Sequence, residues 1–133
     1  NDTPFDFRKG KKIGRDIYHE NTQLKLGNGY DHCWVLDNYN KQLRKVGELY
    51  SNETSIKMEV YTDLPGIQLY TGNFLDGSLN SKKGKKYVNR SGLCLETQFF
   101  PNSPNNQSFP STILEPGMKF ASRTSFKFTT FKK

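Results

Sequence analysis

Alanine is almost missing from this chain of 133 residues: Ala121 is the only one. With the strongest helix former reduced to one residue, a helical bundle is not expected. Long apolar runs are missing too. The longest, Trp34-Val35-Leu36, is three residues, or four with Cys33, where a membrane-crossing helix needs about 20. Cysteine is scarce: Cys33 and Cys94 lie far apart and neither belongs to a C-x-x-C pair, so zinc-ribbon and thioredoxin chemistries have no support. One disulfide is within reach of that count, but two reduced thiols in a cytosolic protein is the plainer expectation. Glycine and lysine never fall at the spacing that wraps backbone amides around a phosphate. The first residue is Asn1, and no apolar signal segment follows it, so a processed product or part of a longer chain is expected.

Basic charge and aromatic rings are abundant. Lys and Arg total 20 against 13 Asp and Glu, a net charge of +7. Much of the positive charge lies in Arg8-Lys9-Gly10-Lys11-Lys12 and Lys82-Lys83-Gly84-Lys85-Lys86. Both runs flank glycines and lack apolar periodicity, so they are expected as solvated loops, with no nucleic-acid partner. Aromatic residues make up 14% of a chain that is only 33% hydrophobic. Rings bury much area each, which supports an ordered chain, and the length admits one domain at most. Four Asn-x-Ser/Thr triplets, at Asn1, Asn52, Asn89 and Asn106, are taken as chance because nothing in the sequence establishes secretion.

Period-two segments dominate beyond the first 23 residues, which are polar and turn-rich, with one helical turn expected over Asp16 to Glu20. Gly27-Asn28-Gly29 predicts a tight turn that delivers Tyr30 to Leu36, whose last residues read as a strand ending at the Asp37-Asn38 turn. Strands are predicted over Gln42 to Tyr50, Ile56 to Tyr61, Ile67 to Thr71, Leu93 to Phe99 and Phe120 to Phe128. Their spacing, with Gly, Pro and Asn between them, predicts an all-β, antiparallel sandwich or related assembly.

A few polar side chains in this pattern suit chemistry. Glu96 shares a strand face with Cys94 and Gln98, and such a face is either plain solvated surface or a concave wall for a polar ligand. Asp31 is either a turn-capping residue or an oriented acceptor for a ligand hydroxyl. His32 points to the opposite face from Asp31 and is expected to be a packed, hydrogen-bonded imidazole. His19, amid polar residues, is expected at the surface.

Taken in order, several segments resemble the C-terminal portion of the aldose 1-epimerases, the galactose mutarotases. They are Thr3-Pro4-Phe5-Asp6-Phe7-Arg8 with Lys12-Ile13-Gly14, then Gly29-Tyr30-Asp31-His32. Met58-Glu59-Val60-Tyr61-Thr62 follows, running through Pro65-Gly66-Ile67-Gln68-Leu69-Tyr70-Thr71-Gly72-Asn73-Phe74. Leu93-Cys94-Leu95-Glu96-Thr97-Gln98 with Pro101-Asn102, Phe109-Pro110, and Leu114-Glu115-Pro116-Gly117 complete the set. The likeness covers essentially the whole chain, and the ordered set is specific where each motif alone is weak.

The resemblance implies that residues 1–133 form the C-terminal part of a single antiparallel β-supersandwich domain that binds an aldohexose on a sheet face. It implies Glu96 as the general base that takes the anomeric proton, Asp31 as an acceptor for a sugar hydroxyl, and Tyr70 as a residue lining the cleft. The histidine acid, a second histidine and an arginine of the family precede the matched region, and neither His19 nor His32 stands in those motifs. The implied partner is therefore an N-terminal portion or chain of the same enzyme, without which this chain is expected to be inactive. No cofactor, metal or membrane is implied, and the implied location is cytoplasmic. Two rival expectations are a noncatalytic carbohydrate-binding β module and a hexose-6-phosphate epimerase relative.

Overall fold

Six strands and two kinds of short helix carry the chain through a computed structural model that describes residues 2–131. The strands are β1 (Asp31–Val35), β2 (Arg44–Ser51), β3 (Ile56–Thr62), β4 (Gly66–Tyr70), β5 (Cys94–Gln98) and β6 (Thr124–Thr130). They form two three-stranded sheets, ordered β1-β4-β5 and β2-β3-β6. The all-β expectation is met. The residues divide into two compact units, whose boundary falls inside β1, β4 and β5. One holds the residues up to His32 together with Gln68–Leu95, and the other holds Cys33–Ile67 together with the residues from Glu96 on.

The first unit is built mostly from turns. The helical turn expected over Asp16 to Glu20 does not form; a 3₁₀ turn lies just before it, at Ile13–Arg15. A five-residue helix, α1 (Thr22–Leu26), was not foreseen. It is too short to display apolar periodicity, and its ends explain it. Asn21 Oδ1 accepts the Gln23 N–H at 2.9 Å as the N-cap, and Gly27 closes the C-terminus. The helix buries Leu24, which joins Ile17 and the fully buried Tyr30 in the core. Phe5 and Phe7 meet the Tyr30 ring edge-on at 5.9 and 5.3 Å.

Of the two basic runs, the second is the solvated loop the sequence suggested. Lys82, Lys83, Lys85 and Lys86 are exposed around a turn closed by the Ser81 N–H to Lys85 O bond. The first run departs from that expectation at Lys11. Its ammonium donates to Asp16 at 2.7 Å and to Pro4 O at 2.6 Å, and lies over the Phe7 ring. A lysine so partnered is structural rather than free charge.

The second unit contains the regular sheet. β3 pairs antiparallel with β2 and β6, in a register that sets Met58 opposite Leu49 and Phe128, and Val60 opposite Phe126. Successive side chains alternate between faces, so Ile56, Met58, Val60, Phe126 and Phe128 share an apolar face. The other face carries Glu48 directly opposite Glu59, a like-charge pair that would repel. Lys45 bridges both carboxylates at 2.9 and 2.6 Å, and Lys57 reaches Glu48 at 2.8 Å. Lys57 and then Lys45 hold the Glu48 carboxyl at about 2.

A bulge between Lys45 and Gly47 lets β2 keep that alternation. β6 starts at Thr124, not at Phe120 as the alternation suggested. The reason is Asp63: its carboxylate accepts the Arg123 N–H at 2.9 Å and ends the ladder. Val60 is fully buried, whereas Phe126 and Phe128 remain 45% and 64% exposed. Gly66 is needed for contact: a Cβ there would lie 3.0 Å from Cys33 Sγ and from the Phe100 ring. Cys33 and Cys94 are thiols, and burial raises the Cys33 pKa.

Candidate functional site

The site residues foreseen in the sequence fall in different units. Asp31 and Tyr70 belong to the first, Glu96 to the second.

In the first unit, Asp31 opens β1 with an exposed carboxylate. Its Oδ1 accepts a hydrogen bond from Gln68 Nε2 at 2.7 Å. Gln68 lies two residues before Tyr70 on β4, so the two project from the same sheet face. The Gln68 Oε1 is buried and has no hydrogen-bond partner among the described residues. Such an acceptor is costly to leave unmade, and a ligand hydroxyl would satisfy it. Tyr70 is half-buried; its hydroxyl accepts the Phe74 N–H at 3.0 Å and its ring stacks on Phe74. Gln68 is the site residue the sequence left without a role. Its signal was the shared strand face with Tyr70.

Behind Asp31 stands a buried polar cluster. The Tyr30 N–H donates to Thr71 Oγ1 at 3.1 Å, and the Thr71 N–H donates to Tyr30 O at 3.0 Å. Asn73, 3% exposed, donates from Nδ2 to Gly27 O at 2.8 Å and to Tyr30 O at 2.9 Å. Its Oδ1 accepts from Thr71 Oγ1 at 2.6 Å. The Tyr30 hydroxyl donates to Pro4 O at 2.7 Å, and burial pushes the phenol up to about 12. The turn into β1 is thus fixed at both its backbone and its ring.

His32 is the packed imidazole the sequence suggested. Its Nδ1 accepts the Asp31 N–H at 3.0 Å, and Phe5 meets its ring at 4.8 Å. Burial lowers its pKa, opposed by the Asp31 charge and a hydrogen bond to the Gln23 backbone. His19 is at the surface, where Nδ1 accepts the Asn21 N–H.

In the second unit, Glu96 sits on β5 with an exposed side chain. It forms no ion pair among the described residues, so its carboxylate is left to solvent or a ligand. The next residue anchors the strand: Thr97 Oγ1 lies 2.5 Å from Thr124 Oγ1, which is 3.3 Å from Thr62 Oγ1. A hydroxyl chain therefore links β5 to β6 and β3 beside Glu96. The same unit contains an open pocket of about 260 Å³ lined by Leu43, Asp63, Ala121, Ser122 and Arg123. None of the foreseen site residues lines it. Among the described residues, no group of three or more His, Cys, Asp or Glu is placed to hold a metal ion. No helix among them is long and apolar enough to cross a membrane.

Comparison with known proteins bears on what this arrangement serves. The galactose mutarotase of Bos taurus is 39% identical over 127 residues, covering 96% of this chain and 35% of that protein. The aldose 1-epimerase of Escherichia coli K12 is 34% identical over 128 residues, covering 95% of this chain and 36% of its own length. The chain therefore spans little more than a third of these relatives. The crystal structure of a GalM/aldose epimerase homologue from C. elegans superposes with a TM-score of 0.73 at 24% identity, over 99% of this chain and 38% of that one. That likeness supports the antiparallel β-supersandwich fold implied by the sequence motifs. The family model for aldose 1-epimerase matches residues 1–127, and the chain belongs to the aldose 1-epimerase family.

Proposed function

We propose that this chain is the C-terminal part of a single β-sandwich domain of an aldose 1-epimerase acting on a hexose such as galactose or glucose. The observation that carries the proposal is the Asp31–Gln68 pair: an exposed carboxylate hydrogen-bonded to an amide whose own oxygen lacks a partner. Two adjacent acceptors suit vicinal sugar hydroxyls, and the half-buried Tyr70 ring on the same face would line the cleft.

In this mechanism the Glu96 carboxylate takes the proton from the anomeric hydroxyl. An acid from the N-terminal portion protonates the ring oxygen, the C1–O5 bond opens, and rotation of the free aldehyde precedes closure on its other face. No electron or group leaves the sugar, so the proton cycle balances by itself. Positioned acid and base catalysis of this kind contributes about 10²- to 10⁴-fold in rate, and hydroxyl contacts at Asp31 and Gln68 add the orientation that proximity demands.

Two features support the need for an N-terminal portion. Both histidines of this chain are engaged in local backbone bonds, His32 with the Asp31 N–H and His19 with the Asn21 N–H. The second unit also leaves Met118, Phe120 and Phe128 more than 60% exposed, apolar side chains suited to cover by further protein. The enzyme is read as cytoplasmic on the resemblance alone.

The test is Glu96→Gln in the assembled enzyme, this chain together with the N-terminal portion, followed by polarimetry on fresh α-galactose. Turnover is expected to fall about 10²-fold or more while galactose affinity persists. Unchanged turnover would remove Glu96 as the base. Sugar binding without turnover in the unmutated assembly would point instead to a noncatalytic carbohydrate-binding module.

A further inference from the structure

The buried cluster behind Asp31 engages both the amide nitrogen and the oxygen of one side chain. Asn73 donates both amide protons, to Gly27 O and Tyr30 O, and accepts the Thr71 hydroxyl proton. Thr71 Oγ1 in turn accepts the Tyr30 N–H. All of these bonds converge on the turn that ends one residue before Asp31. Burying an amide costs free energy that an apolar side chain of equal volume would not, so packing alone does not account for Asn73. The turn is also shaped to admit it: a Cβ on Gly29, whose φ is +133°, would lie 2.4 Å from Asn73 Oδ1. From the far side, Asn89 Nδ2 donates to Asn73 O at 2.8 Å and holds the clamp itself.

We infer that Asn73, acting with Thr71, is a positioning residue that sets the Asp31 carboxylate for the sugar. The inference rests on the epimerase reading given above. Asn73 is itself buried; it fixes Tyr30, and Tyr30 fixes the start of β1, where Asp31 meets Gln68. An offset of about 1 Å in a substrate-binding group costs up to about 10²-fold. Asp31 holds the sugar in ground and transition states alike, so the loss should fall on KM more than on kcat.

The experiment is a double-mutant cycle in the assembled enzyme, read by polarimetry on α-galactose. Asn73→Ala is expected to raise KM about tenfold or more with a smaller change in kcat. Added to Asp31→Ala, it should have little further effect, because residues acting through one another are not additive. Equal effects of Asn73→Ala in the presence and absence of Asp31 would overturn the inference. Thr71→Val, which removes only the hydroxyl, should move KM in the same direction by less, and Thr71→Ser should restore it. That pair decides the matter if Asn73→Ala does not fold.

Absence of turnover in the unmutated assembly would defeat the epimerase reading, not the clamp. The clamp is then decided by NMR of this chain. Thr71→Val should shift the Asp31 carboxyl carbon and the Gln68 side-chain amide while leaving β3 amides in place. Unmoved Asp31 and Gln68 signals would overturn it.

Discussion

The two units of this chain hold their shape by different means. The first has little regular pairing of its own and is fixed by buried hydrogen bonds: Tyr30, Thr71 and Asn73 tie the Gly27–Asp31 turn in place. The second has a full antiparallel register from β2 through β3 to β6, yet leaves Phe126 and Phe128 uncovered. Dense hydrogen bonding specifies where a polar group points. A regular ladder specifies a surface, and this one is apolar on one side. Under the proposed function, the difference suits a first unit that orients ligand-binding groups and a second that offers area to further protein.

Substitutions test this contrast, the largest effect first. Gly29→Ala should destabilise the chain by about 3–4 kcal/mol in urea unfolding, combining a left-handed backbone with a methyl driven into Asn73. A cost below about 1 kcal/mol would mean the clamp does not shape the first unit.

Val60→Ala, at a fully buried position of the second unit, should cost about 2 kcal/mol. On the neighbouring strand, Phe128→Ser should cost less than about 1 kcal/mol in this chain, because the ring is 64% exposed. In the assembly proposed above, with an N-terminal portion, the same change should weaken association, measurable by sedimentation. Equal unfolding penalties at both positions would show that β6 is already covered.

Acidity separates the units further. Burial keeps the folded His32 pKa below its ordinary 6.5. The unfolded chain therefore binds the proton first, and stability rises with pH through this window. The His32 contribution is complete above about pH 6.5 and is lost as pH falls through the lower folded value. Urea midpoints between pH 5 and 7 should show this slope, and His32→Gln should flatten it. The smallest effect belongs to the salt-bridged face of the second unit. Glu48→Gln should change stability by at most about 0.5 kcal/mol, since the pair is open to solvent.

Much of the architecture could be read from alternation. β3 stands where Ile56, Met58 and Val60 alternate with charged or polar neighbours, and the Gly27-Asn28-Gly29 turn leads into β1 as its residues suggested. What alternation could not express was decided by single side chains. α1 depends on the Asn21 cap, the start of β6 on the Asp63 carboxylate, and the burial of Lys11 on Asp16 and Pro4.

The site divides the same way. Asp31, Tyr70 and Glu96 came from resemblance to family motifs, and periodicity could only assign them to strand faces. Gln68 and Asn73 became legible through contacts between Asp31 and β4, or between Gly27 and the residues after β4. These are separated by some 37 to 46 positions in the chain, beyond the reach of any local pattern.

The absence of a side chain at Gly66 has one more effect. It leaves room at Gly66 for both the Phe100 ring and the half-buried Cys33 sulfur, while Cys94 is exposed. A maleimide added to the native chain would label the exposed Cys94 faster than the half-buried Cys33. The ratio of the two labelling rates would then report the breathing of the protein around Cys33, with no cysteine introduced.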